Sequence, residues 1–214
     1  ISQGITTVLV GPDGSSPKSI AEYLAARRAN PSTVNVATLV GHATVRQQVM
    51  GDDYRRTATP AEVEQMAALV DRAMLEGALG LSSGLEYVVG SYASTDEVVA
   101  LATAAARRRG IYISHMRDEG GGVLDSVKET IAIGEGAKIP VQISHHKVGG
   151  RKQFGQSVQS LELSAAARAR GVDVAFDQYP YTASQTGLSL IFPRWALADD
   201  KLNERLASAG QRRE

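Results

Sequence analysis

Two stretches of this chain share a grammar that limits what it can fold into. GIYISHMRDEGGG, residues 110–122, and KIPVQISHHKVGG, residues 138–150, each run through apolar, β-type residues to Ser-His and then break into a polar loop with glycine. A helical pattern lies between them. Ile111, Tyr112 and Ile113 lead to His115, and Val141, Gln142 and Ile143 lead to His145. A strand, a helix and a second strand in that order predict two parallel neighbours, each with a histidine near its carboxyl end. In barrels and open sheets of α/β type, that end carries ligands and catalytic groups. A single histidine at a strand end is ordinarily a hydrogen-bonded structural residue. The repeat favours metal ligation for the pair, since imidazole is the commonest nitrogen ligand of divalent metals.

The same alternation extends along the chain. Strands are predicted over residues 5–10, 34–40, 79–81, 111–113, 141–143 and 172–176, each followed by a helix or a helical pattern. Ser16 and Pro17 are expected to open the first helix. Thr59-Pro60-Ala61-Glu62 and Ser94-Thr95-Asp96-Glu97 cap two others, and a last helix is expected over residues 199–208. Met66 and Met74 fall on the apolar face of the helix after Pro60 and are expected in the core. With no GxGxxG after the first strand, this alternation predicts an α/β fold with an incomplete TIM-type barrel of about six of the eight βα units. Residues 1–214 are read as one barrel piece without its first and last strands, because the chain opens close to a strand and stops just after a helix.

Composition narrows the chemistry. The 214 residues carry 23 basic and 23 acidic side chains, with no basic run of the kind that binds nucleic acid. The absence of cysteine rules out thiolate ligands, so a metal must be held by histidine, carboxylate or a modified lysine. No long apolar run or signal peptide is present, so the expected location is cytoplasmic and no membrane partner is expected.

QGITTVLVGPDG, GALGLSSGLEYVVGSYAST, GIYISHMRDEGGGVLDSVKETIAIGE, IPVQISHHKVGG and DQYPYTAS together resemble successive blocks of the N-acyl-D-amino-acid deacylases of the amidohydrolase superfamily. The resemblance runs over nearly the whole chain. It implies a zinc-dependent TIM barrel, with one or two ions, that hydrolyses the amide bond of an N-acyl-D-amino acid. It also implies metal binding by His115 and His145, and places Asp13 where the family has a cysteine ligand, a hard oxygen in place of a soft sulfur. Lys147 matches the lysine that pairs with the substrate carboxylate, and Tyr87 and Tyr179 match tyrosines that contact substrate. Gln185 stands where a serine often helps hold that carboxylate.

Arg117, Asp118 and Glu119 follow His115 in the family's order. They could shape the substrate pocket, with Arg117 as a substrate contact, or form a loop salt bridge. His42 is expected behind the site, and His146 on the opposite side of its strand from His145. The family's further metal ligands and its general base, an aspartate, have no match within residues 1–214, so no catalytic residue is assigned here. The piece alone is expected to be inactive, to bind zinc weakly or not at all, and to self-associate through exposed edges. Two other readings are a dihydroorotase-like cyclic amide hydrolase and a barrel remnant without catalysis.

Overall fold

The structure, a computed structural model, describes residues 1–187, 192, 194–197 and 201–211. These fall into two compact units, Ile1–Gln178 and Tyr179–Glu214.

In the first unit, parallel strands alternate with helices. The order is β1 (Thr7–Val10), α1 (Ile20–Ala29), β2 (Asn35–Thr38), β3 (Val40–Gly41), α2 (His42–Met50), α3 (Pro60–Glu76), β4 (Gly80–Gly84), α4 (Thr95–Ala106), β5 (Ile111–His115), α5 (Val123–Ala137), β6 (Val141–Ile143), α6 (Ser157–Ala169) and β7 (Val174–Phe176). β1 and β2 form a parallel pair, and β3-β4-β5-β6-β7 form a parallel sheet in sequence order.

The expected strand over residues 34–40 is one extended run that changes partner at Leu39. The Leu39 amide donates to Val10 O at 2.9 Å, while Thr38 O accepts from Leu79 N at 2.9 Å. Consecutive neighbours, each joined through a helix, are the connectivity of a TIM-type barrel, as expected.

The core lies between strands and helices. Val40, Leu81, Tyr112, Val141 and Val174 come from the sheet, and Met66, Val70, Leu101, Val127 and Ile133 from the helices. Met66 is fully buried and Met74 packs against the cluster, as the helical spacing implied. Helix α3 carries the expected capping box: Thr59 accepts from Glu62 N, and Glu62 accepts from Thr59 N.

The first helix starts later than expected. Ser19 caps α1 by accepting from Glu22 N, and Ser16 Oγ instead accepts from Gly41 N at 2.9 Å, tying the loop after β1 to the end of β3. Local propensity marked Ser16 as the cap, but a long-range donor took its hydroxyl and Ser19 caps the helix instead.

Among its described residues, the second unit holds two short helices, α7 (Arg194–Leu197) and α8 (Leu202–Ala207). Residues 202–207 of the expected last helix are helical; Asp199 and Asp200 lie outside the described residues. No helix among the described residues is long and apolar enough to cross a membrane.

Candidate metal centre

His115 is the last residue of β5, in register with Gly84 of β4. His145 lies two residues beyond β6, in a turn, with φ of 38°. That left-handed backbone costs about 1–2 kcal/mol outside glycine, and the Asp177 carboxylate holds it: Oδ1 accepts from His145 N at 2.7 Å. The turn brings the His145 ring across to His115, with His115 Nδ1 and His145 Nε2 2.8 Å apart.

Asp13 arrives from the loop after β1, also with positive φ. Ser82 of β4 anchors that loop, since its hydroxyl donates to Gly11 O at 2.5 Å and accepts from Gly14 N at 3.2 Å. The approach is close enough that a Cβ on Gly84 would stand 2.3 Å from Asp13 O, so only glycine fits there. Asp13 Oδ1 then lies 4.0 Å from His115 Nδ1 and 3.9 Å from His145 Nε2.

The three donors form a triangle with sides of 2.8, 4.0 and 3.9 Å. Two donors of a tetrahedral zinc ion, with bonds of about 2.0 Å, stand about 3.3 Å apart. One hydrogen bond must open and two gaps must close, each by a fraction of an ångström. The set of two nitrogens and a carboxylate oxygen therefore fits zinc in size and type.

Around the triangle, His115 Nε2 lies 2.9 Å from Glu86 Oε2, and the Tyr87 hydroxyl lies 3.3 Å from His115 Nδ1. His145 Nδ1 stands 2.9 Å from Glu119 Oε1 and 3.1 Å from Lys147 Nζ, and Lys147 is ion-paired with Glu119. Burial pushes the Glu119 carboxyl up, but hydrogen bonds to His145 and Lys147 outweigh it and hold the group below the ordinary carboxylate range. Glu119 in turn holds His145 above the ordinary imidazole value, against the effect of burial.

Asp13, His115, His145, Tyr87 and Lys147 thus come together. Arg117 takes the other role open to it. Its Nε and Nη2 donate to Glu129 at 2.9 Å each, and Nη1 and Nη2 reach Ser91 O and Ala93 O, so its guanidinium is engaged in a loop salt bridge. Tyr179 belongs to the second unit, where its ring stacks with Tyr181 at 6.5 Å.

His146 turns to the helix side, Nε2 2.9 Å from Ser160 Oγ of α6, as strand alternation implied. Buried His42 bonds Glu97 at 2.8 Å, and Arg46 pairs with the same carboxylate. Glu86 and Asp177 were not among the expected site residues. Each is a carboxylate distant in sequence from the histidine it touches, and no spacing signals it.

Parallel strands that deliver two histidines and a carboxylate to one point at their carboxyl ends define the barrel type of the amidohydrolases. The chain is 40% identical over 211 residues to a D-aminoacylase of Alcaligenes xylosoxydans xylosoxydans, covering 88% of this chain and 43% of that protein. Its structure aligns with a crystal structure of D-aminoacylase, described as defining a novel subset of amidohydrolases, at a TM-score of 0.80 and 40% identity, over 86% of this chain and 43% of the other. It also aligns with N-acyl-D-glutamate deacylase of Bordetella bronchiseptica, complexed with zinc and a phosphonate mimic of the tetrahedral intermediate, at a TM-score of 0.81 and 38% identity, over 84% and 42%. No protein-family model matches the chain. Over the stretch it spans, the chain is a homologue of the D-aminoacylases; that stretch is less than half the length of these relatives.

Proposed function

We propose that the protein carrying this chain hydrolyses the amide bond of N-acyl-D-amino acids, with zinc held by His115 Nδ1, His145 Nε2 and the Asp13 carboxylate. The observation that carries this reading is the donor triangle itself, assembled from three separate strand ends. Zinc bound there supplies Lewis acidity toward an amide carbonyl and makes water acidic enough to react near neutral pH.

The chain's own residues bind and orient. The Lys147 ammonium, beside His145, offers a point charge to the carboxylate of the amino-acid product half. Glu119 keeps that ammonium facing the site. The Tyr87 hydroxyl, at the inner nitrogen of His115, is placed to donate to a substrate oxygen. Tyr179 keeps the substrate-contact role that the family resemblance implies, and Arg117 is assigned to holding the loop after β5. No general base is assigned among the described residues. A cytoplasmic location and self-association through strand edges complete the reading.

In the protein that carries this chain, release of D-amino acid should stop on chelation and return with zinc. Lys147→Ala should lower kcat/KM for N-acyl-D-amino acids on the order of 10–100-fold, the value of a hydrogen bond to a charged group. It should leave an acylated amine without a carboxylate unaffected. Equal loss on both substrates would remove the carboxylate-anchoring role. A zinc-loaded protein with no amide hydrolysis at all would favour a remnant that kept the strands and lost the chemistry.

A further inference from the structure

β4 ends directly opposite the end of β5. Gly84 is in register with His115, and the next amide, Leu85 N, donates to His115 O at 3.0 Å. The two residues that follow grip the His115 ring on two sides. Tyr87 lies against it with ring centroids 4.4 Å apart. Glu86 meets its outer nitrogen, Oε2 to Nε2, at 2.9 Å. The imidazole is nearly buried, its side chain 5% exposed, so little water competes for that nitrogen.

A carboxylate only accepts hydrogen bonds, so the proton at this contact sits on Nε2. In the neutral ring the lone pair is then on Nδ1, the nitrogen that faces His145 and Asp13. A carboxylate behind a ligand histidine fixes the ring's tautomer and rotation and makes the inner nitrogen more basic.

We propose that Glu86 is a positioning residue, which accepts the Nε2 proton of His115 and so presents Nδ1 as the metal-binding nitrogen. The proposal rests on the metal-binding reading of His115 above. Neighbours in sequence thus have separate tasks: Glu86 sets which nitrogen faces the site, and Tyr87 holds the plane of the ring. Glu86 and His115 are joined only by the strand register, which carries the end of β4 past the end of β5.

The test compares Glu86→Gln, whose amide oxygen still accepts from Nε2, with Glu86→Ala, which has no acceptor. In the metal-free protein, nitrogen-15 shifts of the His115 ring should show the Nε2-protonated tautomer in the parent and in Glu86→Gln. A mixture of tautomers is expected in Glu86→Ala. Titration with cobalt(II) alone, read by its visible absorption, should show binding about 10–100-fold weaker in Glu86→Ala and within about threefold of the parent in Glu86→Gln.

An unchanged tautomer in Glu86→Ala would overturn the proposal. So would equal loss of cobalt in both variants, which would make Glu86 a direct anionic ligand. His115→Ala separates the two claims: if cobalt binds that variant as tightly as the parent, the metal reading fails, while the tautomer comparison still decides whether Glu86 orients the ring.

Discussion

Asp13 and His145 both adopt backbone conformations that most side chains avoid, and both face the same point. Left-handed φ in non-glycine residues persists only where surrounding contacts hold it. At His145 the contact is the Asp177 hydrogen bond to its amide, and at Asp13 the contacts are the Ser82 anchors of its loop. Aspartate and asparagine tolerate this region better than most residues. Asp13→Asn therefore keeps the backbone and removes only the charge, and zinc affinity measured by calorimetry should fall at least about tenfold. An unchanged affinity would take Asp13 out of the ligand set.

His115 and His145 were legible in the sequence because the same Ser-His ending occurs twice at equivalent places in a strand-helix-strand run. Asp13 and Lys147 were legible only through the family resemblance. Glu86 and Asp177 were not legible, because what brings them to the histidines is strand register, a property of paired strands and not of either strand's sequence.

At the scale of elements, local rules predicted the helices well and failed where a distant partner intervened. Thr59 and Glu62 made their box, and Ser94 capped α4 by accepting from Glu97 N. The Glu97 side chain did not close a second box; it turned inward to His42 and Arg46 of α2. Arg46 also donates to Tyr54 O at 3.0 Å and Arg56 O at 2.5 Å, so one buried cluster joins α2, α4 and the loop before α3. Removing one partner of a buried ion pair costs about 3–5 kcal/mol, and Glu97→Gln should lose that much in urea unfolding at neutral pH. Thr59→Ala, at an exposed cap, should lose only about 1 kcal/mol.

Burial pushes the Glu97 carboxyl up, but its bonds to His42 and Arg46 outweigh this and hold it below the ordinary range. A group whose folded value is depressed stabilises fully above its unfolded value, about 4.3 for glutamate. That stability is lost as pH falls through the folded value. The stability gap between the parent and Glu97→Gln should therefore be constant near neutrality and shrink below about pH 4.3. A gap that widens with acid would reverse the sign of the argument.

At the scale of the whole molecule, parallel order with a helix between neighbours was readable from the alternation of strand and helix patterns. The change of partner at Leu39 was not, since a continuous extended run gives no sign of where one neighbour ends and the next begins. β1 and β7 stand at the ends of the strand order, and Leu9 and Phe176 on them are exposed, as are Val158 and Leu161 on α6. Unpaired edges beside apolar surface favour association. Sedimentation of the 214-residue chain should show mass rising with concentration; a single monomeric species across the range would contradict this.

The central claim, that three strand ends hold one ion, is tested most directly by anomalous diffraction at the zinc edge from zinc-soaked crystals. The account predicts one peak within about 2.0–2.2 Å of His115 Nδ1, His145 Nε2 and an Asp13 carboxylate oxygen. Zinc bound to only one of these residues, or bound elsewhere while the two imidazoles keep their mutual hydrogen bond, would contradict it.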